Sequence, residues 1–330
     1  MVDTYLVIGA ENSPYSIKVR SYFRYKGIPH TWLKRSQAQA EYQQHAKLPL
    51  VPLVVTPDGL ALQDSTPIIE AVENRVTLPS IVPADPIAAF IAVLLEEFAD
   101  EWGNKWMFHY RWAREVDQIA AARRLVLDGA PAIDDEKLLT NSNAIRERMV
   151  PRVWFVGANE TTAPQIEQSF VDTLVLLEAH LAARPFLLGG RPSCADFALW
   201  GQVYNAAKDP TPAGLIAGNR AILGWLLRMV DPAPEGPFET WATLAPTLVP
   251  ILTDQVGALF LPWSDANARA IASNTETFEV ALKSKRWVQK AQKYHARSLA
   301  ELRRKYTDLQ PNPALTTLLT RTDCLRWLVT

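Results

Sequence analysis

The first 75 residues alternate short apolar runs with polar turns. Tyr5-Leu6-Val7-Ile8 is a continuous apolar run and predicts a buried strand. A small polar loop follows and ends at Ser13, after which Pro14 opens an amphipathic helix that Gly27 terminates. Residues 29–33 predict a second strand. Because a helix connects the two strands, we expect them to pair in parallel.

The next segment predicts shorter elements. Residues 39–46 predict a short polar helix or loop with little apolar periodicity. Thr56-Pro57-Asp58-Gly59 predicts a turn that joins residues 53–55 to residues 60–63 as an antiparallel hairpin. A carboxylate and a hydroxyl, in Asp64-Ser65, then open another helix.

Helical periodicity replaces the strand signals after a linker at residues 77–83. From residue 86 to about residue 127, one long helix is expected, with apolar and aromatic side chains recurring every four residues. This stripe consists of Leu94, Phe98, Trp102, Trp106 and Tyr110. Such a stripe is typical of a core or a subunit interface. Further helices are predicted at residues 140–156, 165–183, 238–261 and 278–306.

One of the helix starts has a recognisable capping pattern. Ser193 is followed three residues later by Asp196, so the hydroxyl can accept from a backbone N–H and the carboxylate can accept from the Ser193 N–H. Both residues are expected to serve the fold. Loss of the cap in Asp196→Ala should cost on the order of 1–2 kcal/mol of stability.

Composition limits the classes of function. The 34 Lys and Arg residues balance 35 Asp and Glu residues, which excludes a global field for recruiting nucleic acid or an anionic membrane. Residues 278–306 are locally basic, with nine Lys or Arg against two Glu. They predict a helix docked on its parent domain with a solvated charged face. An anionic ligand site, or contact with nucleic acid or membrane, are the alternatives.

Cysteine content and hydropathy favour an intracellular protein without a metal. Cys194 and Cys324 are the two cysteines, and their separation fits neither a disulfide framework nor a zinc site. No run approaches the roughly 18 apolar residues that span a bilayer, and the first residues lack a targeting pattern. The expected location is therefore cytoplasmic.

Taken together, the Ser13 loop, Val51-Pro52 and Asp64-Ser65 resemble the N-terminal domain of the glutathione transferases, which has a thioredoxin-like α/β fold. The stretch around Ser193 and Asp196 resembles the N-capping box of the family's all-helical second domain. The resemblance extends from about residue 4 to about residue 229. It implies a glutathione-binding domain at 1–78, a helical substrate domain at 86–231 and a C-terminal helical extension at 232–330 packed on the second domain.

The resemblance implies a role for the hydroxyl at the first helix. Ser13 would donate a hydrogen bond to the glutathione sulfur beside a helix N-terminus, which stabilises the thiolate. Ser16 is the alternative, and a plain helix cap is the structural interpretation of Ser13. Relatives with Cys at this position form mixed disulfides with glutathione. The Ser in this chain disfavours that route.

The resemblance also implies which residues bind the remaining groups of glutathione. Val51, before the family's cis-proline Pro52, would offer its backbone N–H and C=O to the cysteinyl part. Ser65 and the helix N-terminus would bind the γ-glutamyl carboxylate, and Asp64 would meet the ammonium. Lys47, or Lys34, would pair with the glycyl carboxylate.

The second substrate would bind between the domains. In the resembled family the long helix faces this cleft, so Tyr15, Trp102 and Trp106 are candidates to line a pocket for an apolar or aromatic electrophile. Asp100 would either reach a ligand amine or lie exposed at the surface. A detoxifying homodimeric transferase is the expected function. A glutathione-dependent peroxidase and a non-catalytic glutathione- or ligand-binding protein are the alternatives.

Overall fold

The computed structural model describes residues 4–329; the first three residues and Thr330, which the predicted domain bounds include, lie outside this range. The helices and strands, in chain order, are β1 (Tyr5–Gly9), α1 (Pro14–Tyr25), β2 (His30–Lys34), α2 (Gln39–His45), β3 (Leu53–Val55), β4 (Ala61–Gln63), α3 (Ser65–Glu73), α4 (Pro86–Phe98), α5 (Asn104–Ala113), α6 (Glu115–Gly129), α7 (Asp135–Met149), α8 (Ala163–Leu181), α9 (Cys194–Ala206), α10 (Pro210–Ile216), α11 (Arg220–Arg228), α12 (Trp241–Ile251), α13 (Leu261–Ala272), β5 (Thr277–Leu282), β6 (Lys285–Lys290), α14 (Lys293–Thr307), α15 (Pro313–Arg321) and α16 (Leu325–Leu328).

The N-terminal domain has a thioredoxin-like fold around a small mixed sheet of order β2-β1-β3-β4. The predicted parallel pairing of β1 with β2 and the antiparallel β3–β4 hairpin are both confirmed. Because successive residues of a strand face opposite sides, Val7 packs with the core that contains α1 and α3, whereas Ile8 packs with Tyr42 of α2. Two layers of helices therefore cover the sheet.

The second domain is helical and centres on α9, which packs against α1, α4 and α5. The predicted long helix is continuous from residue 86 to residue 113, with a π-helical turn at Ala99–Gly103 between α4 and α5. It does not continue to residue 127. Arg114 has an extended backbone, with φ −116° and ψ 145°, and α6 begins at the next residue.

Aromatic side chains dominate the core of this domain and enclose a lysine. The Lys105 ammonium lies 3.6 Å from the centre of the Trp263 ring, near Trp102 and Trp287, and donates to the Val156 carbonyl at 3.2 Å. The ring faces stabilise the cation, yet burial lowers the pKa of Lys105 to about 7.

The predicted basic helix at 278–306 is wrong in its first half. β5 and β6 form an antiparallel hairpin there, and α14 begins only at Lys293. In β5, the exposed Glu279 and Ala281 alternate with inward-facing residues, of which Phe278 and Leu282 are buried, and this alternation is the period of a strand. The backbone of the turn is left-handed at Lys283 and Ser284. These residue types do not predict that conformation, which is typical of glycine and asparagine.

The extension begins with one long apolar helix. Residues Trp241–Ala272 run through α12, a π-helical stretch at Leu252–Phe260 and α13. By length and composition this helix could cross a membrane, since one 18-residue window has a mean hydropathy of 1.5. The expectation that no segment reaches this limit is corrected. Of that window, 56% is buried inside the protein, where Leu248 and Phe260 join the main core.

Candidate functional site

The loop between β1 and α1 presents Ser13 at the N-terminus of α1. Ser13 is the N-cap residue, with φ −100° and ψ 116°, and its Oγ accepts the Ser16 N–H at 3.2 Å. Pro14 follows at the first helical position and has no N–H to satisfy. Since Ser13 Oγ acts here as an acceptor, its own proton remains available for donation to a ligand.

The two other hydroxyl groups in the first turn of α1, those of Tyr15 and Ser16, are less accessible to a ligand than that of Ser13. Ser16 is fully buried, and its Oγ has no partner among residues 4–329. It faces the sheet, because a Cβ built on Gly9 would lie 3.0 Å from the Ser16 Cβ. The Tyr15 hydroxyl donates to the Asp100 carbonyl at 2.9 Å and accepts from Asn104 Nδ2 at 3.0 Å. Tyr15 therefore ties the two domains together, and Ser13 is the hydroxyl left open in this turn.

Basic residues of the helical domain hold this loop in place, and the sequence analysis missed them. Lys208 Nζ donates to the Glu11 carbonyl at 2.8 Å. Arg111 donates to the backbone carbonyl of Asn12 at 3.0 Å, and Arg124 donates to Oδ1 of the Asn12 side chain at 2.8 Å. No local pattern marks these contacts, because their partners are about one hundred or more positions away in the chain.

A peptide edge lies beside this loop at Val51. The Val51-Pro52 bond is cis, as the resemblance implied. Within the described residues, neither the N–H nor the C=O of Val51 has a hydrogen-bond partner. Gln63 of β4 fixes the preceding loop, since its Oε1 accepts the N–H groups of Lys47 at 2.8 Å and Leu48 at 3.0 Å. An extended ligand could therefore add to this edge as a short strand.

The two lysines considered for a carboxylate differ in their surroundings. Lys47 is exposed, and its ammonium contacts no acid among the residues described. Lys34 forms an ion pair with Asp128 of α6 at 2.7 Å and donates to the Asp128 carbonyl. Of the two, Lys47 is the free cation.

Asp64 and Ser65 stand at the start of α3. Asp64 has left-handed backbone, with φ 75°, and is exposed, whereas Ser65 is buried at the first helical position. The Asp64 carboxylate caps no N–H of its own helix. Its Oδ2 instead accepts from the Tyr294 hydroxyl of α14 at 3.0 Å. The sequence analysis did not connect Tyr294 with this helix start.

Below this surface, a buried ion cluster joins α1, α3 and α4. The Lys18 ammonium lies 2.6 Å from carboxylate oxygens of Glu96 and Asp100 and donates to Thr66 Oγ1 at 3.0 Å. Burial alone would lower the pKa of Lys18, but the two carboxylates raise it above its ordinary value. Burial, opposed by Lys18, raises the pKa of Asp100 to about 7. The cluster links the two domains directly beneath the helix N-termini.

Three of the residues expected in the second-substrate pocket lie in the interior. Trp102 and Trp106 are fully buried, and both ring N–H groups donate to Ser169 Oγ, at 2.8 and 3.1 Å. Asp100 is buried and forms an ion pair with Lys18 at 2.6 Å. The expectation of a pocket wall is therefore not met at these positions, because the stripe of aromatic residues faces α8 and the extension.

The described part of the chain holds no group of three or more His, Cys, Asp or Glu residues placed to bind a metal ion. Both cysteines are free thiols. Burial raises the pKa of each, to about 12 for Cys324.

The chain has a mixed α/β domain followed by a helical domain. The first domain presents a hydroxyl at a helix N-terminus, a cis-proline edge and a helix start with an acid and a serine. This combination defines the class of thioredoxin-like transferase folds. The sequence model "Glutathione S-transferase, N-terminal domain" matches residues 12–75, and "Glutathione S-transferase, C-terminal domain" matches residues 136–228. The chain therefore matches the models of both domains of the glutathione S-transferase family.

Comparison with solved structures found similar chains of low identity. A glutathione S-transferase from Methylobacterium radiotolerans JCM 2831, in complex with glutathione sulfonate, is 19% identical, covers 72% of this chain and 98% of its own, and has a TM-score of 0.44. The Tau class enzyme of mango, Mangifera indica, is 18% identical, with coverage of 74% and 96% and a TM-score of 0.42. One from Methylobacillus flagellatus KT with glutathione bound is 20% identical, with coverage of 70% and 99% and a TM-score of 0.41. No curated protein matches the sequence.

Proposed function

We propose that this protein binds glutathione and activates its thiol for attack on an electrophile. The matches to both family models support the class of reaction. The register of β1, β3 and β4 supports the ligand, because the segments that carry Ser13, Val51 and Asp64-Ser65 adjoin the same end of these strands. The observation that carries the proposal is the state of Ser13. Its oxygen caps α1, and its proton is free to bind a sulfur at the same helix end.

Each end of the tripeptide would meet a group of matching charge. The Val51 backbone would pair with the cysteinyl part in the manner of an added strand. Ser65 and the N–H groups at the start of α3 would receive the γ-glutamyl carboxylate, and Asp64 would receive the ammonium. The exposed Lys47 would pair with the glycyl carboxylate.

Activation requires a thiolate near neutral pH. A free alkyl thiol has a pKa of about 8.5 or above, and lowering it by two units requires roughly 2.7 kcal/mol of preferential binding to the anion. One hydroxyl donor together with a helix N-terminus can supply this amount. Ser13 would therefore stabilise the thiolate without itself becoming covalently modified.

The electrophile is proposed to have an apolar or aromatic body. With Trp102 and Trp106 in the core, support for this moves to an open cavity of about 530 Å³ beside the Ser13 loop. Ala120 and Leu127 line it, and the charged ends of Lys34, Arg124 and Lys208 surround them. Such a cavity suits an apolar group that carries a polar substituent.

The cytoplasmic location, the role in detoxification and the homodimer also remain proposals. Two free cysteines without a disulfide agree with a reducing compartment. In a dimer, the partner would have to contact surfaces other than those of α3 and α4 that α14 covers within the same chain.

Replacement of Ser13 by Ala tests the proposed reaction. We expect conjugation of glutathione to an activated aryl halide to fall about 10²–10³-fold in kcat, because a donor to the reacting anion is lost. Glutathione affinity, measured by calorimetry, should change by less than about threefold, since the peptide contacts remain. Ser16→Ala is the matched control and should retain activity, because the buried Ser16 hydroxyl has no partner among residues 4–329. Unchanged conjugation in Ser13→Ala would remove Ser13 from the mechanism. Glutathione binding without any conjugation in the wild type would favour a non-catalytic binding protein.

A further inference from the structure

The C-terminal extension reaches the start of α3 through one side chain. Tyr294 is the second residue of α14, and its hydroxyl donates to Asp64 Oδ2 at 3.0 Å across 230 positions of the chain. Among residues 4–329, this is the one hydrogen bond that the Asp64 side chain makes. About half of the Tyr294 surface is exposed, so the contact lies at the protein surface rather than in the core.

The position of Tyr294 is fixed by the rest of its helix. Three further side chains of α14 bind acidic residues of α3, α4 and the π-helical turn: His295 binds Glu101, Ser298 binds Glu97, and Lys305 binds Glu70 at 2.5 Å. The His295 and Glu101 side chains are both buried. Because these contacts anchor both ends of α14, the helix backbone holds Tyr294 within reach of Asp64.

The chemistry of the pair leaves one oxygen for a ligand. Partial burial, together with the charges of Glu101 and Asp64, raises the pKa of Tyr294, so the phenol stays protonated and donates. The donated hydrogen bond occupies Oδ2 of Asp64 and restricts rotation of the carboxylate. Among residues 4–329, no donor is hydrogen-bonded to Oδ1, and Ser65 follows at the first position of α3.

We propose that Tyr294 is a positioning residue of the glutathione site, which holds the Asp64 carboxylate so that its free oxygen receives the γ-glutamyl ammonium. This inference rests on the proposed function and adds to it that the extension completes the site within one chain. The proposed role predicts that the site selects between ligands. Tyr294 should favour ligands that carry the α-ammonium group and should have no effect on ligands that lack it.

Calorimetry with two ligands and two matched variants tests this role. The ligands are glutathione and its deaminated analogue glutaryl-cysteinylglycine, and the variants are Tyr294→Phe and the control Tyr306→Phe. Tyr306 lies on the same helix and packs its ring against Phe90 at 5.4 Å. We expect Tyr294→Phe to weaken glutathione binding about three- to tenfold and to leave the analogue within about twofold, as loss of one hydrogen bond to a carboxylate would. Tyr306→Phe should change neither.

The Asp64→Asn background provides the second measurement. If Tyr294 acts through the carboxylate, Tyr294→Phe should have less than about a twofold effect once Asp64 has been neutralised. An equal loss for both ligands would reduce Tyr294 to a structural contact, and no loss for either would remove it from the site. Both results overturn the inference while wild-type glutathione binding stands. A wild type that fails to bind glutathione would overturn the proposed function and this inference together.

Discussion

Two helix starts in this molecule combine an aspartate with a serine, and their surroundings differ in every other respect. At α9, Asp196 is fully buried, and each of its oxygens accepts two hydrogen bonds. Oδ2 accepts the N–H and the hydroxyl of Ser193, both at 2.9 Å. Oδ1 accepts the Leu187 N–H at 2.7 Å and the Trp225 ring N–H at 3.1 Å. The predicted capping box is confirmed and is part of a larger buried network.

At α3, by contrast, Asp64 is exposed and accepts from one side chain of the described residues. The adjacent Ser65 makes no hydrogen bond through its hydroxyl within residues 4–329. A carboxylate whose lone pairs are all used by the chain serves the fold, whereas one with unused acceptors at a helix N-terminus is available to a ligand. The comparison therefore separates a structural acid–serine pair from a binding pair with the same residue types.

The largest expected effect is on stability, in Asp196→Ala. We expect the free energy of unfolding to fall by about 3–5 kcal/mol, because four buried donors lose their acceptor at once. This exceeds the 1–2 kcal/mol expected from the cap alone. Urea denaturation followed by fluorescence measures the change. Asp64→Ala is the counterpart and should lose less than about 1 kcal/mol. Similar losses in the two variants would contradict the distinction.

For glutathione binding, we expect the effect of Asp64→Ala to exceed that of Asp196→Ala. Asp64→Ala should weaken glutathione binding about tenfold, because an exposed ion pair with the ammonium is lost. Calorimetry measures the affinity, and Asp58→Ala is the control. Asp58 is also an exposed aspartate of the first domain, but it pairs with Arg75 at 3.0 Å on the turn between β3 and β4. Equal affinities of Asp64→Ala and wild type would show that the open carboxylate is not a ligand group.

The sequence predicted those features whose causes are local. Helix starts at Pro14 and Ser193 and the turn between β3 and β4 follow from proline, capping side chains and glycine within a few residues. The fold class followed from their order. The predicted domain bounds and glutathione-site residues stay predictions, because no ligand or domain measurement decides them.

What the sequence did not predict depends on contacts between distant residues. The stripe that contains Trp102 fits a core and a pocket equally well, and only packing against α8 and the extension decides for the core. The β5–β6 hairpin was mistaken for a helix because its turn at Lys283-Ser284 lacks glycine and asparagine. Tyr294 and Arg111 contact residues that are far away in the sequence, so no local pattern predicts these contacts.

The smallest effect is expected at a third carboxylate, whose surroundings lie between those of the first two. Glu97 is buried like Asp196 but is hydrogen-bonded to a single hydroxyl, that of Ser298. Burial and the nearby Glu101 charge raise the pKa of Glu97 to about 8, whereas burial opposed by several donors raises the pKa of Asp196 to about 6. For buried acids, the number of donors therefore helps to decide how well the charged form is tolerated.

This difference predicts a pH-dependent stability gain in Glu97→Gln. Between about pH 4.5 and pH 8 the folded protein keeps a proton on Glu97 that the unfolded chain has lost, so stability falls as the pH rises through this window. Glutamine abolishes that loss and can retain a hydrogen bond with Ser298. The variant should match the wild type near pH 4.5 and exceed it by about 1 kcal/mol at pH 8, a value below the ideal linkage because buried sites relax. Urea titrations at both pH values measure the gain. Glu276→Gln, at an exposed side chain, controls for the removal of one acid. A gain that is equal at both pH values would show that the proton on Glu97 is not its cause.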